Sequence, residues 1–145
     1  MSNSETLEKT ERKTNWINSI MPILSERYKD WSITAIEDKK AIFIYNDISV
    51  PKKEITFIET EGDNILIVIK SLLQKKELTD GGLRVLNHLN CGLYFLTHQI
   101  DIENRIYKCR FIISKDSLQN QFDTVITYLE GEHQKGKMLL DMECR

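Results

Sequence analysis

Two residue types in this 145-residue chain invite a chemical reading: three histidines (His88, His98, His133) and three cysteines (Cys91, Cys109, Cys144). His88, Cys91 and His98, with Cys109 as a fourth ligand, would make a tetrahedral metal site. Zinc sites usually carry paired ligands such as C-x2-C, and these spacings are single and irregular. Cys91, followed by Gly92, would offer a thiol at a turn, with His98 or His133 as its base. That chemistry also needs the pair within hydrogen-bond reach and an oxyanion-stabilising turn beside it. The plainer expectation is that Cys91 and Cys109 are small buried hydrophobes, that His88 is a surface or half-buried residue on a short helix, and that Cys144, next to Arg145, is exposed.

The carboxylates read the same way. Glu37-Asp38, Glu59-Glu61-Asp63 and Asp101-Glu103 fall at or beside hairpin ends, where acidic residues solvate turns. Asp101-Ile102-Glu103-Asn104 has neither the length nor the glycine of a calcium loop. Gly81-Gly82 follows a charged linker rather than a strand and precedes no Gly-Lys-Ser/Thr, so it is not a phosphate loop. The residues predict no catalytic, cofactor-binding or metal-binding group, and a protein that is not an enzyme.

The elements that would position these residues are legible from periodicity. Ile17, Ile20, Met21, Leu24 and Tyr28 have the spacing of one helix face, with Pro22 either kinking that helix or marking a start nearer Ser19. From Trp31 the period becomes two, giving a hairpin of residues 31–36 and 41–45. A second hairpin, 54–60 and 64–70, turns at Glu61-Gly62-Asp63. Ile65 to Ile69 is apolar at every position, so this strand is expected inside the sheet and covered on both sides.

Thr79 or Asp80 can cap a helix through Leu83, Val85, Leu86 and Leu89 that ends at Asn90-Cys91-Gly92. Residues 93–100 and 105–113 read as strands. A last amphipathic helix follows Ser114, Asp116 or Ser117 and carries Leu118, Phe122, Val125, Ile126 and Leu129; its signal weakens beyond Gly131, although Met138 to Leu140 could prolong it. Helices outside a βαβ alternation and strands joined by hairpins indicate one α+β domain with a largely antiparallel sheet, ordered α-β-β-β-β-α-β-β-α. The domain is expected over residues 14–145, behind a polar tail of residues 1–13.

Composition sets outer limits. Hydrophobic content of 41% and charged content of 29% belong to a globular protein, not a disordered one. Twenty basic residues against twenty-two acidic ones give a net charge of −2, without the basic footprint of a nucleic-acid binder. The longest apolar run falls far short of the roughly 20 residues that span a bilayer. No secretory leader is evident, so the expected location is the cytoplasm, with free thiols.

What remains is apolar surface. Leu93, Tyr94, Phe95 and Leu96 are apolar on both strand faces, and Trp31, Phe43 and Tyr45 add large side chains to strands near an edge. These seven residues are the candidate partner-binding surface, serving a dimer interface or a groove for another polypeptide by helix packing or strand addition.

The pattern L-x-V-L-N-H-L-N-x-G-L-Y-F from Leu83 to Phe95, followed by strand, acidic turn, strand and amphipathic helix, resembles the YbjN family, which is similar in fold to the type III secretion chaperones. The stretch from Lys53 to Lys70 resembles the paired strands before that family's middle helix, and the likeness extends from about Trp16 to Leu129. The resemblance implies a non-enzymatic homodimer that binds a client protein or peptide segment without a cofactor. It also implies that Asn90 ends the helix and that Asn87 bonds to a nearby loop. The competing function is a small inhibitor or immunity-type protein that blocks a folded partner; a Cys/His enzyme built on Cys91 is a third.

Overall fold

The structure is a computed structural model, described here over residues 16–38, 40–46, 53–74, 77–92 and 96–144. Helix α1 occupies residues 16–27. It is followed by β1 (Ser32–Ile36), β2 (Ala41–Asn46), β3 (Lys53–Thr60), β4 (Asn64–Leu72), α2 (Asp80–Gly92), β5 (Leu96–Asp101), β6 (Ile106–Ser114), α3 (Lys115–Asn120) and α4 (Phe122–Glu143). The strands form one antiparallel sheet in the order β1-β2-β3-β4-β6-β5. The α+β class and element order match the sequence reading, with the last helix divided in two.

Register separates the two faces of the sheet. One row of cross-strand partners runs Ile33, Ile44, Ile55, Ile69, Cys109, His98 across all six strands. The next row on that face runs Ala35, Ile42, Phe57, Ile67, Phe111, Leu96. In both rows the residues on β3 and β4 are fully buried, in one cluster with Trp16, Ile20, Leu24, Leu118, Phe122, Ile126 and Leu140 of the helices. The described helices therefore lie on one face. Ile65–Ile69 is inside the sheet, as expected, but the described helices cover only one of its faces. Leu66 is half-buried on the other face, where Val68 is buried among its sheet neighbours. Antiparallel sheets tolerate this arrangement because hairpins leave one face free to be solvated.

Helix α1 runs through Pro22, which is exposed, neither starting at Ser19 nor stopping there. A mid-helix proline costs about 3 kcal/mol. Fully burying a large apolar side chain returns roughly 1.5–3 kcal/mol, and Trp16, Ile17, Ile20, Leu24 and Tyr28 are all buried. The end of α1 is tied to α4 by polar contacts. Tyr28 donates its hydroxyl to Glu130 at 2.7 Å, and Arg27 reaches Glu130 at 3.1 Å and Thr127 at 3.2 Å. Burial pushes the Glu130 carboxyl up, yet Tyr28, Lys53 and Arg27 together hold it below the ordinary carboxylate range.

The turn between β3 and β4 takes left-handed angles at Gly62 (φ 75°) and Asp63 (φ 61°), which the sequence anticipated. Ser114 caps α3, its hydroxyl accepting the Ser117 N–H. Helix α4 runs through Gly131 and on to Glu143, 22 residues in all, so Met138 to Leu140 do prolong it. Phe122, Ile126, Leu129, His133, Gly136 and Leu140 form one buried stripe along it. Two non-hydrophobic members, His133 and Gly136, disguise that stripe in the sequence.

Gly81 and Gly82 serve packing. A Cβ on Gly82 would lie 2.5 Å from Cys144 Sγ, and one on Gly81 would lie 2.7 Å from the Glu143 carboxylate. The start of α2 thus presses against the end of α4. This contact corrects the cysteine expectations: Cys144 is buried at 6% exposure beneath α2, while Cys91 is exposed.

Candidate interaction surface

The residues with chemical potential converge, but inside the core. His98 on β5, and Tyr107 and Cys109 on β6, meet beneath α4: Tyr107 Oη lies 2.6 Å from His98 Nδ1 and 3.0 Å from Cys109 Sγ. The Tyr107 ring lies nearly parallel to two imidazoles, with His133 at 4.9 Å and the hydrogen-bonded His98 at 5.9 Å between centroids. His133 Nε2 lies 3.1 Å from Ser71 Oγ on β4. Burial lowers the pKa of His98, raises that of Tyr107, and pushes the Cys109 thiol up to about 12. Burial, with Lys53 nearby, takes His133 down to about 3. The thiol and both imidazoles are neutral near pH 7, and a protonated thiol is a poor nucleophile. The group acts as a hydrogen-bonded joint between α4 and three strands.

The metal set considered from the sequence does not assemble. His98 and Cys109 meet at 3.4 Å, but His88 and Cys91 are on the exposed side of α2. Among the described residues no cluster of three or more His, Cys, Asp or Glu side chains is arranged to hold a metal ion.

The accessible feature is the sheet face away from the helices. Its rows run Ser32, Tyr45, Glu54, Lys70, Lys108, Gln99; then Thr34, Phe43, Thr56, Val68, Arg110, Thr97; then Ile36, Ala41, Ile58, Leu66, Ile112. Phe43, Tyr45, Ile58 and Leu66 are half-buried, and Ile112 is 56% exposed. A shallow cavity of about 200 Å³ opens between Tyr45, Glu54, Lys70, Leu72 and Ile106. The face mixes large apolar side chains with polar ones, the composition of a wet protein interface.

The two edges of the sheet differ. On β5 the Asn90 side chain engages the main chain of His98 on both sides, accepting its N–H at 2.7 Å and donating to its carbonyl at 3.0 Å. A side chain that occupies both edge groups blocks strand addition there. Asn90 is thus an edge clasp, not the helix end, since α2 runs on to Gly92; Asn87 is exposed. On β1, three of five residues are exposed, and no described element lies beyond it in the sheet.

The seven residues singled out by the sequence do not form one patch. Phe43 and Tyr45 lie together on the uncovered face. Trp31, half-buried, packs against Tyr28 at 4.9 Å at the entry to β1. Leu96 points the other way, buried at 3% exposure under the helices, so it is core, not surface. Leu93, Tyr94 and Phe95 lie outside the described residues. Sequence reasoning missed Lys70, Lys108, Arg110 and Ile112. The alternation of β6 carried the signal, with Tyr107, Cys109 and Phe111 on one side and Lys108, Arg110 and Ile112 on the other, but it had no register to join it to β4.

No helix among the described residues is long and apolar enough to cross a membrane. No protein-family model and no curated protein matches the chain. Among solved structures, the crystal structure of the ExsC–ExsE complex contains a chain of similar fold, with a TM-score of 0.66 at 16% identity, covering 88% of this chain and 95% of that one. The likeness is one of fold.

Proposed function

We propose that the protein is a non-enzymatic binding module of the YbjN and secretion-chaperone type, a cytoplasmic homodimer that masks an extended or amphipathic segment of a client protein. The observation that carries this reading is the asymmetry of the sheet. The described helices cover one face, the other presents Phe43, Tyr45, Ile58, Leu66 and Ile112, and among the described residues a side chain clasps the β5 edge but none is seen to clasp β1. A client segment can lie on that face or add to β1, taking affinity from main-chain hydrogen bonds and specificity from alternate side chains. The fold shared with a chain of the ExsC–ExsE complex supports the same reading.

The test is affinity purification from the native host at native expression, with the mass of the complex measured by light scattering. A dimer carrying a client in a locally unfolded segment is expected. Replacing Phe43 and Tyr45 together by serine is expected to release the client by at least about tenfold, because aromatic anchors dominate interface energies. A strict monomer at high concentration would remove the homodimer, and failure to recover any partner would remove the binding reading. A tight one-to-one complex with a folded partner would instead establish the inhibitor.

A further inference from the structure

We propose that the uncovered sheet face is built for an acidic client segment, received on a cationic ladder of Lys70, Lys108 and Arg110; this deepens the binding-module reading and rests on it. Lys70 and Lys108 are directly opposite each other on β4 and β6, and Arg110, opposite Val68, is the diagonal neighbour of Lys70. Like charges directly opposite destabilise a sheet. The anions nearby offset this repulsion only in part and leave the cluster net positive. Glu54, across from Lys70 on β3, accepts the Thr56 hydroxyl at 3.0 Å, and no ion pair joins Lys70 or Arg110 to any described residue. Asp101, at the far end of β5, has its pKa held down chiefly by Asn104, with a smaller contribution from the Lys108 charge.

A chain with a net charge of −2 therefore concentrates excess cations, with no ion pair from Lys70 or Arg110 to a described residue, on the one sheet face that the described helices leave open. Stability given up at an exposed site is the mark of a surface shaped by its occupant.

The surroundings define that occupant. The cavity beside Lys70 is lined by Tyr45, Leu72 and Ile106, and Leu66, Val68 and Ile112 lie on the other side of the cations. An aliphatic side chain fits between cations that take carboxylates, so the matching segment alternates acidic and apolar residues. A polyanion such as nucleic acid fits less well, because three cations release few counterions and the rest of the protein repels it.

The probe is a fluorescein-labelled peptide alternating Glu with Leu, titrated with full-length protein and read by fluorescence anisotropy. A Lys/Leu counterpart, a single-stranded homopolymeric DNA and anionic phosphatidylserine vesicles serve as competitors. The Glu/Leu peptide is expected to bind, to weaken as salt rises, and to lose about tenfold or more in affinity when Lys70, Lys108 and Arg110 are all changed to serine. The single variant K108E is expected to weaken the peptide while raising Tm by about 2 °C, since it replaces a like-charge pair by an opposite one.

Equal binding of the Glu/Leu peptide by the triple variant, or a lower Tm for a folded K108E, would overturn the proposal. So would DNA, vesicles or the Lys/Leu peptide outcompeting the acidic peptide. Client capture from the host separates the two levels. A client retained by the triple variant removes the ladder alone, whereas no client with the unaltered protein removes the binding module and the ladder with it.

Discussion

At the scale of single residues, the tightest constraint is at a glycine. Gly136, buried in the stripe of α4, stands where any Cβ would overlap the hydroxyl of Tyr107, a fully buried ring held by His98 and Cys109. Gly131, five residues earlier in the same helix, is exposed with nothing within 4 Å of a Cβ. Alanine favours a helix interior over glycine by about 1 kcal/mol, whereas overpacking a rigid core costs about 1–3 kcal/mol. G131A is therefore expected to stabilise the protein by up to ~1 kcal/mol, and G136A to destabilise it by about 1–2 kcal/mol once the helix gain is subtracted. Urea unfolding of the two variants measures both, and a neutral G136A would show that Tyr107 can move aside. In the sequence Gly131 weakens the helix signal and Gly136 carries none of its own, because only the neighbouring strand reveals that Gly136 is a close-approach site.

At the scale of elements, the clasp between α2 and β5 decides which edge of the sheet is available. N90A removes both hydrogen bonds to His98 and leaves an unpaired N–H and carbonyl at the β5 edge. The expected loss is about 1–3 kcal/mol if those groups stay dry. Hydrogen exchange should register it as faster exchange at His98 than at its β6 partner Cys109. The freed edge is also expected to raise concentration-dependent association, seen by light scattering. Unchanged protection at His98 would mean that the edge is held by something other than Asn90. The asparagine was visible in the sequence, but its task depended on a strand residue, His98, six positions beyond the helix.

At the scale of the whole molecule, two buried imidazoles link stability to pH. His133 has a folded pKa of about 3 against an unfolded value of 6.5, and His98 is lowered in the same direction, burial being the main cause for both. A depressed base binds fewer protons folded than unfolded, so stability is full above pH 6.5 and declines as pH falls from 6.5 toward 3. The limiting slope is about 1.4 kcal/mol per pH unit for each group. Around His133 the neighbours that oppose its charge are Lys53, Lys137 and His98; Glu132 favours charge on His98. H133Q is expected to flatten the dependence of unfolding free energy on pH between 6.5 and 5, measured by urea denaturation at several pH values. An identical slope in H133Q and the parent protein would assign the acid lability to carboxylates such as Glu130.

Local patterning sufficed for the elements. Alternation wrote the strands, the i, i+3, i+4 spacing wrote most of the helices, and Gly62-Asp63 wrote the tight turn, because each depends on neighbours in the chain. Tertiary structure alone decided which strand face the helices cover, which edge is clasped, and which side chains become neighbours across β4 and β6. Register is a long-range quantity, set by pairing residues far apart in sequence, and a shift of one residue exchanges the two faces. Hence Leu96 passed from candidate surface to core, Cys144 from exposed to buried, and Lys70, Lys108 and Arg110 from scattered charges to one ladder on an open face.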